Sequence, residues 1–189
     1  MMAGMTGREL NLRVPDPAEW RAVAALHIAS WQSAYRGMLY DGYLDGAIHA
    51  EREGVWKARF AGDLRPDQIV VVAEDGTDFV AFACILAGHD PRWGSLIDNV
   101  HVRPDRKRTG IGRRVLAEAA ARVPQEHGRT PLHLTVLEAN RPAQAAYERW
   151  GGELAEHLEA DLPDGQRLPV RRYSWASPDA LIAALRMHI

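Results

Sequence analysis

A basic segment with two glycines lies near the middle of the chain, between a β-strand pattern and a helix pattern. Residues 103–114 (RPDRKRTGIGRR) hold six basic residues and one acidic residue, so the segment has a local charge of +5. Gly110 and Gly112 allow backbone amides and the positive end of the following helix to approach a bound phosphate. The segment is not a Walker loop, and a dinucleotide-binding loop would need a third glycine and a later acidic residue. It therefore predicts a strand–turn–helix unit that binds an anion, with an ordinary solvated helix start as the alternative.

The chain as a whole does not share this charge. Its 189 residues carry 23 Lys and Arg against 25 Asp and Glu, a net charge of -2, and 47% of them are hydrophobic. These values are typical of one globular domain and argue against a chain built to bind nucleic acid. The single cysteine, Cys84, cannot form an internal disulfide and is expected to be a small buried hydrophobe. With no signal-peptide pattern and no run of about 18 apolar residues, we expect a cytoplasmic protein with no membrane partner.

Hydrophobic periodicity divides the chain into alternating strand and helix segments. Strands are predicted over residues 8–14, 68–74, 78–88, 95–102, 131–137, about 153–160 and 167–175. Helices are predicted from Pro17 to Tyr35, over 47–60, after Pro104 to residue 123, from Asn140 to Trp150 and from 178 to about 188. We expect one domain over 8–176, followed by a C-terminal helix over 177–189. The apolar edge of that helix, formed by Leu181, Ile182, Leu185 and Ile189, either packs back on the domain or forms a homodimer contact.

Two ordered motifs resemble those of the GNAT acetyltransferase superfamily. The run NVHVRPDRKRTGIGRRVL resembles its acetyl-CoA-binding segment, in which a strand ending in Val-x-Pro precedes Arg/Gln-x-x-Gly-x-Gly/Ala and a helix. Lys107 stands where the family usually has Arg or Gln. The second run, NRPAQAAYERWGG (140–152), resembles the family's Asn-x-x-Ala-x-x-x-Tyr-x-x-x-Gly, with Ala146 in place of a frequent aromatic residue.

This resemblance implies a fold, a reaction and a co-substrate. The fold is α/β (α+β), with a mixed, mostly antiparallel sheet of about seven strands flanked by helices, in which strands 4 and 5 are splayed. The reaction is that of an acyltransferase, which moves an acetyl group from acetyl-CoA to a primary amine of a small molecule or peptide by direct attack in a ternary complex, without a metal. The implied coenzyme-binding residues are Val100, His101, Val102, Lys107, Arg108, Thr109, Gly110, Ile111, Gly112, Arg113, Asn140, Ala143 and Tyr147.

The catalytic acid and base are predicted with different support. By resemblance, the hydroxyl of Tyr147 lies near the sulfur of the coenzyme and protonates the leaving thiolate, although periodicity alone makes it a core aromatic. Relatives often carry a glutamate where this chain has Leu96, and its absence could mark lost catalysis. The alternative function is therefore an acetyl-CoA-binding sensor. The candidate bases are Asp98, His133 and His101. Strand alternation places Asp98 on the side of Val100 and Val102 unless a bulge intervenes.

The amine acceptor is expected between the first helices, the splayed strands and the last hairpin. Trp31 and Tyr35 lie one helical turn apart and form a candidate aromatic wall, and Asp41 and Asp45 follow in the next loop. Such a wall with nearby carboxylates suits a cationic amine. The alternative is that both aromatics belong to the packing stripe of their helix.

Overall fold

The computed structural model describes residues 10–62 and 67–187. Within these residues the chain forms seven strands in one sheet and five α-helices. The strands are β1 (Asn11–Arg13), β2 (Gln68–Asp75), β3 (Asp78–Asp90), β4 (Gly94–Val102), β5 (Leu132–Leu137), β6 (Glu153–Asp161) and β7 (Arg167–Trp175). The helices are α1 (Trp20–Ala34), α2 (Ile48–Arg59), α3 (Ile111–Ala120), α4 (Arg141–Arg149) and α5 (Pro178–Arg186). Each predicted element is present, although residues 8 and 9 of the first predicted strand and residues 188 and 189 of the last helix lie outside the described residues.

The sheet is mixed and mostly antiparallel. Its strand order is β1-β2-β3-β4-β5-β7-β6, and β4 and β5 form its parallel pair. Among the described residues, these two strands pair at two positions, Ser95 with Leu132 and Leu96 with His133. The strands then separate, and Thr135 is exposed between buried neighbours on β5. The predicted fold class and the splaying of strands 4 and 5 are confirmed.

Helices cover both faces of the sheet. On one face, which we call the α3 face, α3, α4 and α5 pack on a core that includes Ile85, Ile97, Val115, Leu132 and Leu181. On the other face, which we call the α1 face, α1 and α2 pack on a core that includes Val23, Trp56, Val70, Phe82 and Cys84. Burial of these two apolar layers is the main force that holds the helices on the sheet.

The C-terminal helix packs back on the domain. Leu181 and Leu185 of α5 are buried in the core of the α3 face, and Ile182 packs against the same core. Leu181 and Leu185 of the predicted apolar edge are therefore covered within the chain, and a homodimer stays a prediction. Ile189 lies outside the described residues. The domain boundary at residue 176 stays a prediction.

Polar side chains cap three of the helical segments as their sequence patterns indicate. The carboxylate of Glu19 accepts a hydrogen bond from the backbone N–H of Asp16, at 2.7 Å, in the turn before α1. Asn140 Oδ1 accepts from the N–H of Ala143 at 3.3 Å at the start of α4. Ser177 Oγ accepts from the N–H of Ala180 at 3.1 Å at the start of α5. These bonds satisfy backbone donors that have no partner within a helix.

Candidate functional site

The gap between β4 and β5 lies beside the turn that leads into α3. Val100, His101 and Val102 pair with β3 on one side. Their other edge faces the gap, because β5 pairs with β4 only as far as His133 among the described residues. Val100 and Val102 are half-buried and pack against the core of the α3 face. A strand edge that is open in this way can pair with an extended, amide-containing ligand.

The turn before α3 has a backbone conformation suited to an anion. Arg108 has φ 63°, the one positive φ among non-glycine residues in the described part of the chain, and Gly110 has φ 80°. Left-handed residues of this kind turn successive N–H groups toward a common point. Gly110 is the N-cap of α3 and supplies no side-chain cap. A Cβ on Gly112 would lie 3.2 Å from Val102 Cγ2, so this glycine allows α3 to approach the end of β4 closely.

The basic residues of this turn are partly neutralised within the protein. The guanidinium of Arg103 lies 2.7 Å from Asp105 and 3.7 Å from Asp78. Arg106 forms an ion pair with Asp75, which belongs to β2. The local charge of +5 therefore overstates the positive charge that the turn offers to a ligand. The side chain of Lys107 is partly desolvated, which lowers its pKa, and its Nζ lies 3.5 Å from Ser33 Oγ on α1.

The start of α4 is tied to the end of β5 by buried polar groups. Asn140 is buried and caps the helix that was predicted to begin at this residue. Gln144, which the sequence analysis did not single out, donates to the carbonyl oxygens of Leu137 at 3.0 Å and Glu138 at 2.8 Å. Its position one helical turn after Asn140 was the available signal. These bonds hold α4, and with it Ala143 and Tyr147, at the β5 side of the gap.

Tyr147 combines a packed ring with a perturbed hydroxyl. Its ring packs against the core of the α3 face, 5.8 Å from Trp150 and 6.5 Å from Trp175. Burial, with a smaller contribution from the nearby Tyr35, raises the pKa of its hydroxyl well above the ordinary value for tyrosine. The group is therefore protonated at neutral pH and able to act as a hydrogen-bond donor. These contacts confirm the core role of Tyr147, and its acid role stays a prediction.

A β-bulge decides the direction of Asp98. Cys84 pairs with Asn99 and Ile85 pairs with Ile97, so Asp98 is an extra residue in β4. The bulge places its carboxylate on the α1 face, where Oδ2 accepts a hydrogen bond from Arg59 at 2.6 Å. Asn99 donates to the same oxygen. Simple alternation, which would have put Asp98 with Val100, does not apply here.

Neither histidine candidate is arranged as a base. Burial lowers the pKa of His101 to about 3, and the cations Lys107 and Arg52 lower it further. Its ring stacks on His27 at 4.6 Å, and its Nδ1 lies 3.0 Å from Ser30 Oγ. Burial and the charge of Arg172 lower the pKa of His133 to about 4. The expected base roles of His101 and His133 are therefore not supported, because Arg172 faces the one lone pair of the neutral His133 ring and His101 is enclosed between His27 and Ser30.

The predicted aromatic wall is present, but its charged surroundings differ from the expectation. Trp31 and Tyr35 pack edge to face at 5.0 Å near the β6–β7 hairpin. The guanidinium of Arg52 lies 4.9 Å from the centre of the Trp31 ring and pairs with Glu51. The two predicted carboxylates, Asp41 and Asp45, are exposed and paired with Arg36 at 3.0 and 2.7 Å. The wall is thus next to a cation of the protein rather than next to unpaired carboxylates.

Residues 10–62 and 67–187 contain neither a metal-binding cluster nor a helix that could span a membrane. No group of three or more His, Cys, Asp or Glu side chains there could hold a metal ion. None of the helices within residues 10–62 and 67–187 is long and apolar enough to cross a membrane.

Comparisons with known proteins agree with this geometry. The family model described as Acetyltransferase (GNAT) family matches residues 26–152. An uncharacterized N-acetyltransferase, YuaI of Bacillus subtilis (strain 168), is 27% identical over 161 residues, which cover 84% of this chain and 88% of YuaI.

Two solved structures show the same fold. The PaiA N-acetyltransferase of Thermoplasma acidophilum, in complex with coenzyme A, has a TM-score of 0.66 at 15% identity, covering 88% of this chain and 99% of that chain. YncA of Salmonella typhimurium, with its cofactor acetyl-CoA, has a TM-score of 0.63 at 14% identity, covering 89% of this chain and 94% of that chain.

Proposed function

Because the chain belongs to the GNAT acetyltransferase family, we propose that it transfers an acetyl group from acetyl-CoA to a primary amine of a small molecule or peptide. The observation that carries this proposal is the gap between β4 and β5, which lies beside the left-handed turn at the uncapped start of α3. An open strand edge can bind the amide-containing arm of acetyl-CoA, and the helix start can bind its diphosphate. One ligand would satisfy both features.

We assign the coenzyme site to the β4 edge, the turn, the first turn of α3 and the start of α4. The backbone of 100–102 would bind the pantetheine arm. The N–H groups of residues 108–113 would bind the diphosphate, and Asn140 and Ala143 would contact the arm from α4. The cations closest to the phosphates would be Lys107, Arg108 and Arg113. The ion pairs of Arg103 and Arg106 with acidic residues would hold the turn in shape instead.

The proposed acid and base approach the gap from opposite faces of the sheet. Tyr147 packs on the α3 face, and its protonated hydroxyl would give its proton to the departing thiolate. Asp98 lies on the α1 face, and the hydrogen bonds that it accepts from the described residues Arg59 and Asn99 both end on Oδ2. We assign Oδ1 to accept the proton of the attacking amine, directly or through a water molecule. This arrangement suits a ternary complex in which the coenzyme and the acceptor reach the gap from different faces.

The environment of Cys84 supports direct transfer. Its side chain has no exposed surface, and burial raises the pKa of its thiol to about 12. The thiolate is the form of cysteine that attacks a thioester. An acetyl-cysteine intermediate would therefore need the deprotonation of a thiol whose pKa is about 12.

We place the acceptor on the α1 face, with Trp31 and Tyr35 against its apolar part. Because Arg52 already lies against the Trp31 ring, this wall favours an acceptor that is bound without a positive charge next to the tryptophan. A cytoplasmic location is part of the proposal, and the fully buried thiol of Cys84 fits a reducing compartment.

A thiol-release assay tests the proposed function. Purified protein is incubated with acetyl-CoA and a panel of polyamines, aminoglycosides, amino acids and peptide N-termini, and free coenzyme A is measured. We expect release that depends on both substrates and falls about 10²-fold in Asp98→Asn, the contribution typical of a general base. Asp161→Asn, an exposed carboxylate of the β6–β7 hairpin, is the matched control and should keep full activity.

Two outcomes would contradict the proposal in different ways. If acetyl-CoA bound but no acceptor caused release, the chain would be an acetyl-CoA-binding sensor. If acetyl-CoA did not bind, the site assignment itself would be wrong.

A further inference from the structure

The contact between Arg172 and His133 fixes which nitrogen of the histidine carries its proton. Arg172 Nη1 lies 2.6 Å from His133 Nδ1. A guanidinium has donors and no acceptor, so Nδ1 must offer its lone pair. The proton of the neutral imidazole is therefore on Nε2. His133 is a donor at Nε2, and its one lone pair is already in use.

The surroundings of His133 keep it neutral. The residue is 3% exposed. Arg172 and His89 disfavour a second proton on the ring. Asp90 favours that proton, but its effect is weaker than the opposing effect of burial. The ring of Trp93 lies 6.5 Å away. The uncharged, Nε2-protonated form is thus the form present at neutral pH.

The Nε2–H group of His133 is buried and has no acceptor among the described residues. Buried donors without a partner are rare in folded proteins, because the group loses its bond to water and gains nothing in return. At an active site such a donor is explained by a substrate atom that accepts from it.

His133 stands where the two central strands separate. Its backbone pairs with Leu96 at the last position before the gap. Its neighbours Leu132 and Leu134 point into the core of the α3 face, so the His133 side chain lies on the α1 face, as Asp98 does. The residue is therefore next to the start of the gap, on the side assigned to the acceptor.

We infer that His133 donates a hydrogen bond from Nε2 to the acetyl carbonyl oxygen of acetyl-CoA as that oxygen gains negative charge. This inference rests on the proposed function. In the step, the amine nitrogen forms a bond to the carbonyl carbon and one proton leaves it for Asp98. The C–S bond then breaks and its electron pair stays on the sulfur. The sulfur takes a proton from Tyr147. His133 keeps its proton throughout, so it stabilises charge without acting as acid or base.

Arg172 is a positioning residue in this scheme. It also donates to Glu156 at 3.0 Å and stacks on Trp93 at 5.0 Å. These contacts hold the guanidinium on Nδ1 and so keep the proton of His133 on Nε2. A strand arginine with three side-chain contacts on the α1 face is part of the site, although the sequence analysis did not single it out.

Nitrogen-15 NMR of the full chain tests the inference without relying on turnover. Histidine ring nitrogens report both charge and tautomer, and the exposed His157 provides a reference signal. We expect His133 to be neutral and protonated at Nε2 from pH 5 to 9. Saturating acetyl-CoA should shift its Nε2–H signal, whereas coenzyme A, which lacks the acetyl oxygen, should leave that signal near its position in the free protein.

Several results would overturn the inference. A cationic ring or a proton on Nδ1 in the free protein would do so. Equal signals with acetyl-CoA and coenzyme A, when calorimetry shows that both bind, would refute the contact and leave the proposed function intact. If calorimetry showed no binding of either compound, the proposed function would fail, and the inference would fail with it.

Two variants measure the contribution of the donor. His133→Phe removes it, and we expect kcat to fall about 10²-fold with the KM for acetyl-CoA within about 2-fold, as when an oxyanion donor is lost. His133→Gln keeps an N–H group and should retain kcat within about 10-fold. Thermal denaturation of both variants shows whether they are folded. Equal loss of kcat in two folded variants, or full activity in His133→Phe, would contradict the role.

Discussion

Replacing Gly110 with alanine separates the cost of backbone strain from the loss of a ligand contact. Gly110 has φ 80° at the start of α3, and Gly165 has φ 87° in the β6–β7 turn. An L-residue in this conformation costs about 1–2 kcal/mol. A Cβ on Gly110 would meet the movable Arg113 side chain at 3.2 Å, and one on Gly165 would meet nothing within 4 Å. Gly165→Ala is therefore a matched control for strain.

Both variants should lose similar stability in the absence of ligand. For a domain of this size, 1 kcal/mol corresponds to about 2–4 °C in Tm, so each substitution should lower Tm by about 2–8 °C. Differential scanning calorimetry of the two proteins measures this.

The variants should differ in their affinity for acetyl-CoA. Strain from alanine at position 110 shifts the backbone of the turn, which moves its N–H groups out of line with the phosphates. We expect Kd to rise about 10-fold, or about 1.4 kcal/mol, in Gly110→Ala and to remain unchanged in Gly165→Ala. Gly110→Glu adds a negative charge beside the phosphates and should weaken binding further.

Isothermal titration calorimetry with acetyl-CoA decides this prediction. Wild-type affinity in Gly110→Ala, in a protein that has lost the expected stability, would show that the turn does not bind the phosphates. An equal loss of affinity in Gly165→Ala would show that strain alone weakens binding, and would refute the reasoning in the same way.

Three further predictions concern the acid, the cysteine and the buried histidines. Tyr147→Phe should lower kcat about 10²-fold with little change in acetyl-CoA affinity. Tyr40 is exposed, so Tyr40→Phe should have no effect in the same steady-state assay. Equal rates in the two variants would exclude Tyr147 as the acid. Cys84 should not react with a thiol reagent at pH 8 in the native protein, because it is buried and its thiol pKa is about 12, and rapid labelling without unfolding would contradict that environment. Stability should fall as pH falls from about 6.5 toward 4, because burial lowers the pKa of His101 and His133 in the folded protein while the unfolded chain takes up these protons. The loss is up to about 1.4 kcal/mol per pH unit for each histidine; urea denaturation at pH 7, 6 and 5 measures it, and stability that does not change with pH would contradict it.

The elements that the sequence predicted well have strong local signals. The strands over 68–102 alternate or are continuously apolar, and helix starts such as Asn140 and Ser177 carry side chains that cap them. The turn at Gly110 was identified from its glycines and its charge. Both signals come from residues that lie next to one another in the sequence, so they are visible without the structure.

The features that could not be predicted depend on contacts between distant parts of the chain. The direction of Asp98 is decided by the register of β4 against β3, where one extra residue reverses a side chain. The role of His133 depends on Arg172, which is 39 residues away in the sequence. The ion pair of Arg106 with Asp75 likewise joins the turn before α3 to β2, 31 residues away in the sequence. Spacing along the chain carries no signal for such pairs.

Hydrogen–deuterium exchange with and without acetyl-CoA tests most directly whether this ligand occupies the gap between β4 and β5. Binding there should slow amide exchange in two separate segments, residues 98–102 of β4 and residues 108–113 at the start of α3. Exchange in the outer strand β6 should not change. Protection of the turn alone, or of neither segment at saturating acetyl-CoA, would contradict the placement of the coenzyme on which the proposed function rests.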